Sequence, residues 1–124
     1  MPFKDGSFVL ELAGVAATTG GAVGSVLNPE LEQVFIVECC IFFTTQSTAA
    51  ANLNVGIGTT ATTDANNLIS ALAAGSTTGK AYSGLAKTAN VELPVWDADE
   101  YLTVTCDSTT AGLVAKLVIK YRHV

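Results

Sequence analysis

Charged side chains are scarce in this sequence. They make up 14% of its 124 residues, where ordinary soluble proteins carry about 25%. Six Lys and Arg stand against eleven Asp and Glu, a formal net charge of −5. Binding along a phosphate backbone needs a basic surface, so general nucleic-acid binding is not expected. Histidine occurs once, as His123 near the end of the sequence, a thin basis for the acid–base chemistry most enzymes need. No Cys-x-x-Cys spacing occurs, which leaves a zinc site without support. Long apolar runs are missing too. The most apolar stretch, 34–43, is interrupted by Glu38 and falls far short of the roughly 20 residues of a membrane helix. The stretch 1–6 has no apolar run after a basic start, so no secretory signal and synthesis in a cytoplasm are expected. Gly20, Gly21 and Gly24 lack the strand–glycine–helix setting of a phosphate loop.

What is present is apolar and alternating. Hydrophobic residues reach 49%, too many for a disordered acidic tail, and the length suits one domain over 1–124. Period-2 alternation marks six strands. The first has Phe8, Leu10 and Leu12 on one face. The longest runs over 33–45, with Phe35, Val37, Cys39, Ile41 and Phe43 on one face. The others hold Leu53, Val55 and Ile57; Val91, Leu93 and Val95, with Pro94 marking an edge or a bulge; Leu102, Val104 and Cys106; and Leu113 to Tyr121 in alternation. This pattern predicts an all-β antiparallel β-sandwich, jelly-roll-like, with at most one short helix. The one helical temptation is 64–74, where Leu68, Ile69 and Leu72 precede Gly75, although an extended reading of 67–72 stays open. The Ala/Gly/Thr-rich stretch 13–25 reads as a loop or a long irregular strand pair, and 75–90 as an exposed excursion.

The second face of the long strand is also apolar: Val34, Ile36, Glu38, Cys40 and Phe42. A sandwich strand normally shows water a polar face, so cover by the 13–25 loop or by another subunit is expected, and Val34, Ile36 and Phe42 are candidate contact residues. The last strand's second face, Val114, Lys116, Val118, Lys120 and Arg122, holds three of the six basic residues. A solvated face and a charge-complementary contact both fit it.

The densest polar cluster is Trp96-Asp97-Ala98-Asp99-Glu100-Tyr101. Its carboxylates suit calcium and its Trp96 and Tyr101 suit a stacked sugar, but Asp is a turn former, so a tight acidic turn with Trp96 capping the core is the reading favoured. Cys39 and Cys40 are neighbours and point to opposite faces of a strand, so they do not pair. Cys39 and Cys106 are expected in the core as reduced thiols. A Cys106–His123 nucleophile pair competes with a core cysteine beside a terminal surface histidine. The sequence assigns no catalytic residue, cofactor or metal ligand.

Leu53-Asn54-Val55-Gly56-Ile57-Gly58, Asn67-Leu68-Ile69, Trp96-Asp97-Ala98-Asp99-Glu100-Tyr101-Leu102-Thr103-Val104 and Ala111-Gly112-Leu113 together resemble small accessory virion proteins of tailed bacteriophages. They are most similar to head decoration (cement) proteins built as β-sandwiches, over residues 33–121. The resemblance implies a noncatalytic virion protein on the outer capsid surface, bound to the major capsid protein lattice, often as a trimer. It carries over no binding residue. The competing expectation is a carbohydrate- or receptor-binding module of a fibre or baseplate, for which Trp96 and Tyr101 would have to be exposed.

Overall fold

A computed structural model describes residues 5–75, 81–83 and 94–123. Among them lie nine strands: β1 (Asp5–Ala13), β2 (Gly21–Leu27), β3 (Val34–Thr45), β4 (Asn52–Gly58), β5 (Ile69–Ala73), β6 (Ala81–Ser83), β7 (Val95–Trp96), β8 (Tyr101–Cys106) and β9 (Val114–His123). No helix occurs among the described residues. One sheet has the order β1-β9-β3-β6, with β7 also pairing β3, and the other has the order β2-β8-β4-β5. Every pairing is antiparallel. The pairs nest: β4–β5 is innermost, and β3–β6, β2–β8 and β1–β9 follow outward along the chain.

The inner faces meet in a sandwich-like core. Leu12, Ile36, Ile41, Phe43, Leu117 and Ile119 of the first sheet join Val23, Leu53, Val55, Leu102 and Val104 of the second. The alternation of β9 holds along its length, with Ala115, Leu117, Ile119 and Tyr121 buried and Val114, Lys116 and Lys120 exposed. Cys39 and Cys106 are buried, and both are free thiols, as is Cys40.

Two segments settle readings that the sequence left open. The helical reading of 64–74 gives way to the strand β5, which pairs with β4 at Leu53↔Leu72 and Val55↔Ile69. Within it Ala71 takes a left-handed φ of 54°, and its amide donates to Asn54 Oδ1 at 2.8 Å. The stretch 13–25 contains most of β2, hidden in the sequence by its small residues and by a register shift between Ala22 and Gly24. Gly24 lies close to β1, where a Cβ would sit 2.7 Å from Leu12 Cδ2 and push that methyl aside. Residues 91–93 of the Pro94 strand lie outside the described residues, as do 76–80 and 84–90 of the expected excursion.

β4 shows how the sequence shapes a face. Leu53 and Val55 point into the core, while Asn54, Gly56 and Gly58 point out, under the connection that leads to β5. A Cβ on Gly56 would come within 2.6 Å of Ala65. A Gly56→Ala variant should therefore lose roughly 1–3 kcal/mol of stability, the usual cost of forcing volume into a filled site. Urea unfolding should show this as a lower midpoint at unchanged slope.

Candidate functional site

The register of β3 against β9 shifts twice, between Ile36 and Glu38 and again between Phe43 and Thr45. Each shift inserts a residue without a partner, and a one-residue insertion exchanges the faces of everything beyond it. Val34 and Ile36 therefore face the core before Val37, and Cys39, Ile41 and Phe43 face it after. This corrects the expected contact set. Val34 and Ile36 expose no surface and belong to the core, whereas Phe42 stays outside at 42% exposure.

The outer face of this sheet follows from the same register. Val9 on β1 lies opposite Val118 on β9, and Val118 lies opposite Cys40 on β3. The next row is Glu11, Lys116 and Phe42, and the row on the other side is Ser7, Lys120 and Glu38. Lys116 reaches Glu11 at 3.9 Å and Lys120 reaches Glu38 at 3.5 Å. The result is an apolar stripe of Val9, Val118, Cys40 and Phe42 framed by two neutralised charge pairs. Exposed pairs of this kind add little stability, so their effect is to cancel charge on either side of the stripe. Val9 and Val118 did not stand out in the sequence, because each sits singly among polar neighbours on its own strand. Only the cross-strand register joins them.

The outer face of the second sheet is closed by the chain itself. Thr103 and Thr105 are buried although they point away from the core. The Thr103 hydroxyl donates to the Thr63 carbonyl at 2.8 Å, and the Thr105 hydroxyl to Asp64 Oδ1 at 2.8 Å. Asn54 Nδ2 also donates to Asp64 Oδ1, at 3.2 Å, and Asn67 Oδ1 accepts the Ile57 amide at 2.9 Å. The oxygen-rich stretch 63–67 is thus a structural cover.

The acidic cluster at 96–101 resolves into a turn. Trp96 is fully buried, with its ring 5.9 Å from that of Phe8 and its indole N–H donating to the Glu100 carbonyl at 2.8 Å. Glu100 Oε1 accepts the Asp97 amide at 2.9 Å, and Asp97 Oδ1 accepts Gln33 Nε2 at 2.8 Å. Buried Asn28 ties this turn to the 28–33 connection through the carbonyls of Glu32, Trp96 and Asp97. Tyr101 is half-buried at the start of β8, opposite Leu27. Trp96 and Tyr101 therefore form no shared exposed platform. No group of three His, Cys, Asp or Glu placed to hold a metal ion occurs among the described residues.

His123 and Cys106 are not brought together. The imidazole of His123 lies between Glu32 and Glu30, with Nε2 3.5 Å from Glu30 Oε1. Glu30 Oε1 also accepts the Tyr121 hydroxyl at 2.6 Å. Cys106 contacts Thr110 Oγ1 at 3.5 Å, at the Ala13 end of β1, whereas His123 sits at the Asp5 end. A strand of that length spans about 30 Å.

No protein-family profile, curated protein or solved structure matches the chain.

Burial pushes the Cys39 thiol up to about 12, with the neighbouring Cys40 adding to the rise. Burial and the hydrogen bond to Glu30 push the Tyr121 hydroxyl up to about 12 as well. A group whose folded value lies above its unfolded one stabilises the fold below the unfolded value and ceases to do so as pH climbs through the folded one. Stability should thus hold up to about pH 9 and decline toward pH 12, read from unfolding midpoints. In the native protein at neutral pH a thiol reagent should label Cys40 fast and Cys39 and Cys106 slowly.

Proposed function

We propose that this chain is a structural virion protein, a head decoration (cement) protein that sits on the outer capsid surface and braces the major capsid protein lattice. The observation that carries this reading is the asymmetry of the two outer faces. One is sealed by the 63–67 cover, while the other presents an uncharged apolar stripe through Val9, Val118, Cys40 and Phe42. A face with an apolar centre and a paired polar rim is the anatomy of a protein-binding surface. The nested strand pairing supports the finer fold reading. With β7 set aside, each early strand pairs with the matching late strand, as in a jelly roll, an architecture common in viral capsid domains. The resemblance noted in the sequence supplies the virion context and a homo-oligomer, with a trimer as its usual form. The carbohydrate- or receptor-binding reading loses its main support with Trp96 in the core.

Burying an exposed aromatic at a contact contributes about 1.5–3 kcal/mol, and a charge placed there goes unpaired. Phe42→Lys should fold normally, because Phe42 is exposed at 42%, and should weaken binding at least tenfold. Co-sedimentation with empty tailed-phage heads measures it. Ile36→Lys should instead fail to fold, because Ile36 is in the core. Unchanged head binding by folded Phe42→Lys would remove this face from the proposal.

A further inference from the structure

We propose that β1 pairs edge to edge with β1 of a second copy of this chain, in antiparallel register about a two-fold axis at Val9. β1 ends its sheet, paired along all nine residues with β9 alone. Among the described residues no hydrogen bond joins it to any strand on its other side. β2 passes beneath it at Gly24, close to Leu12, Leu10 and the Glu11 carbonyl, without bonding to it.

The direction of the free backbone groups is fixed by the ladder. The Gly14 amide donates to the Leu113 carbonyl at 3.0 Å, continuing the register in which Ala13 faces Val114. Opposed pairs in an antiparallel ladder alternate between bonded and non-bonded. Leu12, Leu10, Phe8 and Gly6 therefore bond to β9, and Ser7, Val9 and Glu11 turn their N–H and C=O groups to the open edge.

Self-pairing must match edge-directed residues with edge-directed residues. A two-fold at Val9 does so and uses the whole strand. Val9 meets Val9 of the second copy, Ser7 meets Glu11, and Asp5 meets Ala13, so no like charges oppose. A two-fold at Phe8 leaves Leu12 and Ala13 unpaired. A two-fold at Leu10 leaves Asp5 and Gly6 unpaired. At Val9 the stripe Cys40–Val118–Val9 also runs unbroken into its copy. Apart from Glu11, whose charge is paired with Lys116, β1 carries no edge-blunting device: no proline, no bulge, no lysine and no inward charge. Such an edge closes with two copies, where the virion resemblance implies three.

Sedimentation of the full chain up to about 1 mM should show a species of twice the 12.7 kDa chain mass. Val9→Lys opposes two charges at the axis. Val9→Pro removes an edge-directed N–H that the β1–β9 ladder does not use, a placement proline tolerates. Both should raise the dimer dissociation constant at least tenfold. In the unmodified protein, amide exchange at Ser7, Val9 and Glu11 should slow with concentration, a readout that needs no variant to fold. Phe42→Lys should remain dimeric, so the failure of head binding and the failure of this pairing are separable. A monomer throughout, a threefold mass, a dimer that both folded variants leave intact, or edge amides indifferent to concentration overturns the pairing.

Discussion

A strand of twelve residues at the centre of its sheet must feed one core along its whole length, yet β3 cannot do so in a single phase. The residue inserted at Val37 is the constraint on which the other features depend. Before it the core takes Val34 and Ile36; after it the core takes Cys39, Ile41 and Phe43. Were the strand regular, one of these groups would point to water, and the loss of two or three buried aliphatic side chains would cost several kcal/mol. The inserted residue instead brings both groups inward and sends Glu38, Cys40 and Phe42 out. Glu38 then meets Lys120, and Cys40 meets Val118. The outer stripe is a consequence of how the core was filled.

The same economy of side chains governs the opposite sheet, with the reverse result. There Asn54, Gly56 and Gly58 make room on β4, and the 63–67 segment settles over it. Thr103 and Thr105 satisfy their hydroxyls against that segment. A buried hydroxyl without a partner is costly, so this cover and these threonines require each other. No buried side-chain nitrogen or oxygen among the described residues lacks a partner. With one face sealed in this way, the proposed contact is left to the other face.

How much of this was legible in the sequence depends on the kind of signal. Alternation identified β1, β4, β8 and β9, because each keeps one phase and carries large apolar residues. β2 was hidden: Gly-Ala-Val-Gly-Ser-Val-Leu has few side chains large enough to show a period, and its register shift separates Val23 from Val26 by three positions. β5 was read toward a helix because Leu68, Ile69 and Leu72 also fit a helical face. Its pairing with β4 overrides that local preference, as tertiary contacts commonly do. The doubly apolar strand was visible as an anomaly, but its cause was not. A bulge leaves no residue signature at Val37, so a period-2 reading kept Val34, Ile36 and Phe42 on one face. The Trp96 cluster was ambiguous for another reason. Sugar platforms, calcium loops and acidic turns share the same residue types, and only the burial of Trp96 and the bonds of Asn28 separate them.

The scarcity of charge links the face to the edge. A solvated sandwich protects itself by placing lysines, prolines and inward charges on its exposed strands. Here Glu11, Glu38, Lys116 and Lys120 are spent on two pairs that cancel on the outer face, and β1 is left a regular, bondable edge. A lone molecule gains nothing from that arrangement, since an open edge of this length invites non-specific pairing. An assembled one gains two things. Edge pairing joins the backbones without needing special side chains, and it doubles the apolar stripe into one surface that crosses the axis. The wider surface can then engage a repeating partner at two points, where linked contacts bind far more tightly than either alone. Rigid backbone pairing with modest side-chain contacts is therefore a sufficient physical basis for a small, low-charge protein to hold onto a lattice.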